Sequence, residues 1–548
     1  MRKIALLLLV IISGLCFSQT VELEKLSAGK LADASVLYDR NNDDVYGYFY
    51  IFEKDKISKT EILYEYVLLD RNLNKVYSGE FKQSSPYIDF KQSSPYVDRY
   101  GDKKLSFKFQ TAYLNGFISI GIGSYYEFSY FTFAYRLLDV KENKLSDSFT
   151  LLPDLTKKYN PEPIKAKDAV YFNFYPHSFG YELDTPLKSW KVNKGYLIYT
   201  NNKTYFVNEK LEPLWSYSYN ANSKGEEEYE SAGFLDQPCK NNKNILVMIK
   251  NLCGKKYEKK TINRQQNSSY LFFDKNSGKL ISEIFPFGTV SEKAEIKNVT
   301  TGDYFIDEAK QTVTFICRTV NSKGVSLEED QIQDRIQGFS KVEYSISEKK
   351  ELKRDYFSWN QLSQYLDIDE YGYITEKDDP NYHLYLHDVL LKSNGNTIFI
   401  LEEYKTLTGG AKVNDLFFME LDKDMKLIKF QRIEKEKKTI RDGMKRTGAM
   451  IKGGGYFDYA GYEDLGNDNY LFFYYNKQKP EGGGKKKQWV LGIISYINGK
   501  FSEQKLPLKS EDGSDMSITP AKKGYIMIYE TFKDKDKSPE LRLEKINY

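Results

Sequence analysis

Eight short apolar runs recur along this chain of 548 residues, at intervals of about 70 residues. They are VYGYFYIF from Val45, GFISIGIG from Gly116, GYLIYT from Gly195 and NILVMIK from Asn244. The others are TVTFICR from Thr312, NTIFILEEY from Asn396, NYLFFYY from Asn469 and GYIMIYE from Gly524. A strand with one face in water would alternate polar and apolar residues, so unbroken runs of this length read as strands covered on both faces. Most are followed by a strand, a turn with Asp, Asn or Lys, and another strand. Examples are YVLLDRNLNKVYSGEF, YLFFDKNSGKLISEIF and LFFMELDKDMKLIKFQ. This turn chemistry reads as a β-hairpin. The aromatic content of 15%, led by Tyr and Phe, favours strands over helices throughout.

A fixed period of this size, with no helical pattern between strands, predicts an all-β fold, a β-propeller. Seven hairpins stand against eight covered strands, and the mismatch has a physical explanation. After the last covered run only one further strand remains, PELRLEKINY at the C-terminus. TVELEKL, near the other end, supplies its missing partner, so strands from both termini close the ring and remove a free edge. The expectation is eight four-stranded blades in one domain over residues 19–548, with seven blades and an irregular terminal segment as the alternative. In this strand rhythm the chain resembles the large class of secreted β-propellers. Stretches such as GYFYIF and YEYVLLDRNLNK also resemble uncharacterised secreted proteins of Bacteroidetes-type bacteria. The WD dipeptide of one propeller class and the S-x-D-x-G-x-x-W box of another are missing, so no family chemistry carries over.

The first residues read as a secretory signal over 1–18. Arg2 and Lys3 form a positive start, Ile4 to Ile12 is apolar and too short to span a bilayer, and Cys16 and Ser18 occupy the small-residue positions before a cleavage ahead of Gln19. Lipidation at Cys16 is the rival, but Leu15 stands where that signal wants a small residue. No later apolar stretch is long enough for a membrane helix, so the mature chain is expected to be secreted or periplasmic. An outer-membrane barrel is disfavoured because its strands would alternate. Cleavage leaves Cys239, Cys253 and Cys317, an odd number without metal-type spacing. Cys239 and Cys253 flank one strand and are a possible pair, while Cys317 reads as a buried small hydrophobe.

One stretch says nearly the same thing twice: Phe81 to Asp89 recurs from Phe90 to Asp98, with Ile88 replaced by Val97. Pro86 and Pro95 exclude a central strand position. An odd repeat length would also reverse the inward face within a strand. The duplication therefore reads as a tolerated insertion in the connector between blades one and two, with a bivalent loop presenting Tyr87 and Tyr96 as the sharper alternative.

Chemistry-bearing motifs are scarce. His383 and His387 share one strand face but lack further metal ligands nearby, and His177 has no local triad partner. G-x-S-x-G, H-E-x-x-H and G-x-x-x-x-G-K are all absent. The acidic pairs Asp367/Asp369, Asp422/Asp424 and Asp534/Asp536 complete no calcium loop. No cofactor is expected. Two short helices are expected as packing lids. One lies in SLEEDQIQDRIQGF, capped by Ser326 and Glu329 and stopped at Gly338; the other in SWNQLSQYL, capped by Ser358 and Gln361.

Positive charge, by contrast, is localised. CGKKYEKKTINRQQNSS carries Lys255, Lys256, Lys259, Lys260 and Arg264 against one acidic residue. KQKPEGGGKKK ends in Lys485, Lys486 and Lys487, and EKEKKTIRDGMKRT includes Lys438, Arg441, Lys445 and Arg446. In a propeller, loops between second and third strands and loops between blades emerge on the same face. That face should be more positive than the net charge of +3 for the whole chain, a total that argues against nucleic acid as partner. The function expected is a secreted, non-catalytic binding or scaffold propeller at the cell envelope. Its partner would be a polyanionic glycan, a lipid head group or a protein. The rival is a propeller hydrolase or lyase with carboxylates converging on the central channel.

Overall fold

A computed structural model of the chain describes residues 19–546 apart from 23–24, 39–44, 59–60, 85–106, 127–128, 152–157, 160–190, 193–194, 200–202, 219–228, 234–243, 254–267, 287–295, 322–335, 377–378, 442, 480–486, 511–513 and 535–538. The signal segment, most of the duplicated stretch, His177 and Cys239 lie outside the described residues.

The strands form an eight-bladed β-propeller of mainly four-stranded antiparallel sheets. Blade 1 comprises Lys30–Tyr38, Val45–Lys56, Glu61–Asp70 and Lys75–Ser84; blade 2 comprises Lys108–Leu114, Phe117–Tyr126, Ser129–Asp139 and Lys144–Leu145. Blade 3 runs from Lys191–Val192 to Pro213–Ser218, blade 4 from Tyr229–Gly233 to Leu280–Ile284, and blade 5 from Ile296–Asp307 to Lys350–Ser358. Blade 6 is built on Asp379–Leu391, Thr397–Leu407, Gly410–Leu421 and Leu427–Ile433; blade 7 runs from Tyr459–Gly466 to Lys500–Pro507. Every apolar run from the sequence forms the second strand of its blade, and every turn-marked hairpin joins its third and fourth strands.

Blade 8 settles the count against the seven-bladed alternative. Asp515–Pro520, Tyr525–Thr531 and Glu540–Lys545 are completed by Gln19–Glu22, which pairs Gln19 with Leu543 and Glu22 with Glu540. Met527, Leu541 and Leu543 then pack with Tyr48, Tyr50 and Phe52 of blade 1. The same kind of shared core joins each neighbouring pair. Blades 1 and 2 meet through Ile51 and Ile120, 2 and 3 through Tyr135 and Tyr205, and 3 and 4 through Phe206 and Leu271. Phe272 with Phe315, Phe339 with Phe399, Phe418 with Phe472, and Phe473 with Ile528 continue the ring from blade 4 to blade 8. Each such side chain contributes about 1.5–3 kcal/mol by burial, so the interfaces between blades form the core.

In the third-to-fourth turns the leading Asp bonds the backbone as its residue type suggests, and a buried residue adds a feature that composition alone did not reveal. Asp70 accepts backbone hydrogen bonds from Asn72 and Asn74, and Asp422 does the same for Asp424 and Lys426. Within these turns Leu73 and Met425 adopt left-handed φ values of 64° and 61°, costly for large side chains, yet both are buried. Burial against the neighbouring core offsets the backbone strain.

Two details of the helix expectations need correction, while Ser326, Glu329 and the rest of the first expected helix up to residue 335 lie outside the described residues. Gly338 does not stop a helix: it lies inside the strand Ile336–Ser345, where a Cβ would come within 1.9 Å of the Phe357 carbonyl oxygen. SWNQLSQYL forms only a single 3-10 turn, Trp359–Leu362, and Ser358 makes no side-chain cap. Gln361 instead reaches across to the backbone of Met425 and Leu427. The expected packing role holds, since Trp359, Leu362 and Leu366 are buried in the core between blades 5 and 6. Cys317 is buried as expected, and burial pushes its thiol up to about 12.

The outer strand of blade 1 extends to Ser84 and so takes the first residues of the duplication. Phe81 is buried, and Arg136 donates to the Lys82 carbonyl at 2.7 Å. Deleting residues 82–90 would still place Lys91-Gln92-Ser93-Ser94 directly after Phe81, restoring the same strand sequence. Shortening the connector changes loop-closure free energy by less than about 0.5 kcal/mol. The deletion variant should melt within about 1 °C of the parent by calorimetry; a drop of several degrees would show that the second copy is packed.

Candidate functional site

Blade 6 departs from the other blades. Ile374–Glu376 adds to the inner side of its sheet, and Lys438–Arg441 pairs with the start of Gly410–Leu421, Gly410 opposite Arg441 and Val413 opposite Lys438. The hairpin Thr397–Leu407 and Gly410–Leu421 thus continues beyond the core of the blade as a small sheet of its own. Gly410 permits this docking, because a Cβ there would lie 1.9 Å from the Ile440 carbonyl oxygen.

Alternation along these strands separates two faces. The back face carries Tyr404, Ala411, Val413 and Ile440, packed on Ile451 of the short helix Gly448–Gly453 and on Phe457. Lys438 also turns this way, donating to the Tyr456 carbonyl at 2.8 Å. The front face carries Lys405 directly opposite Lys412, which in turn lies opposite Thr439. Both ammonium groups reach Asp379, at 2.7 and 2.8 Å, and Lys437 lies 3.6 Å from the same carboxylate. The Tyr382 hydroxyl donates to it as well, at 2.8 Å. Lys405, Lys412 and Tyr382 together hold the Asp379 carboxyl far below the usual carboxylate range. Burial, with help from Asp379, keeps the Tyr382 phenol protonated.

Behind the front face lies a second charged group. Glu403 is buried and accepts from the Asn414 amide, while its other oxygen has no partner among the described residues. Burial, then the charge of Glu376, pushes its carboxyl up to about 7. Arg432 bridges Glu376 and Asp415 at 2.8 and 2.6 Å.

A third group locks blade 6 to blade 7. Lys435, Glu402 and Asp458 are wholly buried, with Lys435 2.9 Å from Glu402 and 2.7 Å from Asp458. Glu402 also accepts from the Asp458 and Tyr459 backbone amides, and His387 Nε2 lies 2.9 Å from its Oε2. Burial lowers the His387 pKa more than Glu402 raises it, so the imidazole is neutral and Nε2–H donates. Burial alone would raise Glu402, but Lys435 outweighs it and brings the carboxyl down to about 2. Two cations, Lys435 and Lys438, therefore balance two carboxylates, Glu402 and Asp458. This arrangement is a structural clamp without access for a reactant.

The basic residues singled out from sequence fall into three groups. Lys255, Lys256, Lys259, Lys260, Arg264, Lys485 and Lys486 lie outside the described residues. Lys487 pairs with Glu436 at 2.8 Å, and Lys438 belongs to the clamp. Arg441 and Lys445 are exposed, and the Arg446 guanidinium lies 4.7 Å from the Tyr456 ring centre. Sequence reasoning missed Lys405, Lys412 and Lys437 as a set, because two of them sit in strands that read as core. His383 stacks on Tyr404 and meets the Tyr373 ring at a tilt. Among the described residues no group of His, Cys, Asp and Glu could hold a metal ion.

Two outcomes follow from this geometry. Lys435→Met should destabilise the fold by about 3–5 kcal/mol in denaturant titrations, since it strands two buried carboxylates. Glu403 has a folded pKa near 7 against an ordinary value of 4.5, so its burial costs nothing at low pH and progressively more as pH rises between those values. Glu403→Gln should match the parent at pH 4 and exceed it by on the order of 3 kcal/mol at pH 8. An advantage independent of pH would show that Glu403 is not protonated in the folded chain.

No curated protein matches the chain. Among solved structures it is similar to an endo-arabinase from Bacteroides thetaiotaomicron, at 10% identity and a TM-score of 0.22, covering 56% of this chain and 93% of that one. Prolyl oligopeptidase B from Galerina marginata is 9% identical with a TM-score of 0.31, over 93% of this chain and 57% of that one. The WD40 domain of SCAP from fission yeast is 6% identical with a TM-score of 0.24, over 80% and 96%. At these scores they carry no argument about this chain, whose fold is read from its own sheets. The sequence match extends over residues 1–547, and the chain belongs to the family described as "Family of unknown function (DUF6770)".

Proposed function

We propose that this is a secreted or periplasmic propeller, cleaved before Gln19, that binds a polyanionic or proteinaceous partner at the cell envelope without catalysing a reaction. The resemblance of its strand rhythm to secreted proteins of Bacteroidetes-type bacteria belongs to the same reading. The observation that carries it is the projecting sheet of blade 6, which turns its apolar side inward and gathers cations on the other. The second strands of blades 4 and 7, Ile245–Cys253 and Asn469–Gln478, correspond to Thr397–Leu407 of blade 6, and in the sequence each is followed by a Lys-rich stretch. A surface of one sign raises the local concentration of a partner of the opposite sign.

A specific observation also favours the rival, a hydrolase or lyase acting at the central channel. Asp388, Asp464 and Asp303, from the innermost strands of blades 6, 7 and 5, all act on Tyr462, whose phenol is raised by burial first and then by their charges. Paired carboxylates are the usual equipment for hydrolysis of glycosidic bonds.

The deciding experiment is retention of residues 19–548 on fractionated cell envelope at low and high salt, beside a Lys485→Ser/Lys486→Ser/Lys487→Ser variant. Retention lost at high salt and weakened in the variant supports a polyanionic partner. Salt-resistant retention points to a protein held by apolar contacts. Absence of retention at both salt concentrations overturns the binding reading and brings the channel carboxylates forward.

A further inference from the structure

Lys405 and Lys412 stand directly opposite each other on neighbouring strands, an arrangement that like charges disfavour. Lys437 adds a third ammonium group, 5.0 Å from the Tyr382 ring centre, with Lys405 5.7 Å from the same ring. The only carboxylate within 4 Å of all three, among the described residues, is Asp379. Three positive charges therefore converge on one carboxylate; Glu376, opposite Asp379 on the neighbouring strand, is engaged by Arg432, and Lys377 and Asp378 lie outside the described residues. The Asp379 side chain is 31% exposed and the lysines 18%, 27% and 39%, so the cluster is open to solvent but partly shielded from it.

From this geometry we infer that the front of the projecting sheet is an oxyanion subsite, in which Lys405, Lys412 and Lys437 hold a phosphate or sulfate group of the ligand beside Asp379. The inference rests on the binding reading above and specifies where, and to what chemistry, that face binds. Two features select tetrahedral oxyanions over carboxylates. Three convergent ammonium groups match the three terminal oxygens of a phosphate or sulfate ester better than the two of a carboxylate. Ammonium groups are rotatable point donors, whereas planar carboxylates are best met by the fork of an arginine, and the nearby Arg432 is already engaged by Glu376 and Asp415. Asp379 spaces the lysines and keeps them together before a ligand arrives. The Tyr382 hydroxyl anchors that carboxylate from below.

The test is titration of residues 19–548 with inorganic polyphosphate, dextran sulfate and polygalacturonate, by calorimetry at low salt. The parent should bind polyphosphate or dextran sulfate, and the tighter of the two identifies phosphate or sulfate as the preferred group. Lys405→Ser/Lys412→Ser should weaken that binding about tenfold or more. Lys437→Ser, outside the strand ladder, should weaken it with an unchanged melting temperature, which separates binding from folding. Asp379→Asn, which keeps the shape and removes the competing charge, should tighten it. If the parent binds and these variants bind equally well, the subsite is wrong while the binding reading stands. If the parent binds polygalacturonate alone, the oxyanion class is wrong. If it binds none of the three, both the subsite and a polyanionic partner fail.

Discussion

Coverage of the second strand on both faces is the constraint from which the rest of this molecule follows. A strand such as Thr397–Leu407, buried over its first eight residues, has no solvent side on which to place a polar group. Neighbouring blades must supply the cover, and they do so through shared aromatic and aliphatic clusters around the whole ring. Closure by Gln19–Glu22 on the last blade belongs to the same logic, because an unclosed ring would leave blades 1 and 8 each with one bare face. Charged residues on such strands survive as paired groups or shift, like Glu403 with its carboxyl pushed up to about 7, toward the neutral form. Glu420 is an example of pairing: buried in blade 6, it accepts from Lys392 and Asn396 within its own blade and from Tyr496 of blade 7. Its carboxyl is brought down to about 2 because these partners outweigh the burial that would raise it.

This explains which parts of the fold were legible in the sequence. Continuous apolar runs report double coverage directly, so the second strands and their number could be read, and the odd strand at each end implied closure. Asp and Asn at turn starts report local hydrogen bonding, so the hairpins could be read as well. Signals that depend on a distant partner were lost. Gly338 looks like a helix stop because glycine does that locally, whereas its actual cause is the close Phe357 carbonyl on the adjoining strand. Ser358 and Gln361 have capping-box spacing, but Gln361 satisfies the backbone of blade 6 instead.

The candidate site was legible only as excess charge in loops. The clamp of Glu402, His387, Lys435 and Asp458 joins blade 6 to the segment that leads into blade 7, through contacts between residues 15 to 56 positions apart in the chain. Pattern reading treats EKEKK as a solvated charge run, yet Lys435 in that run is wholly buried and its neighbour Lys437 reaches Asp379. The next residue, Lys438, turns instead to the Tyr456 carbonyl on the back face, so neighbouring lysines of this segment serve opposite sides. Lys438 opens the strand Lys438–Arg441, which docks on the start of Gly410–Leu421 because Gly410 leaves room for it.

That partition also shows why net charge located nothing. In the clamp and around Glu420 cations and carboxylates are matched, as burial requires, since an unpaired charge there would cost several kcal/mol. On the front of the projecting sheet the match is relaxed, because partial exposure lets water stabilise the surplus lysines. A ring already closed by apolar interfaces can carry such an addition without relying on it for stability. The surplus charge stands where the fold is least dependent on the residues that bear it, and a binding surface built there can change its cations while the interblade core stays intact.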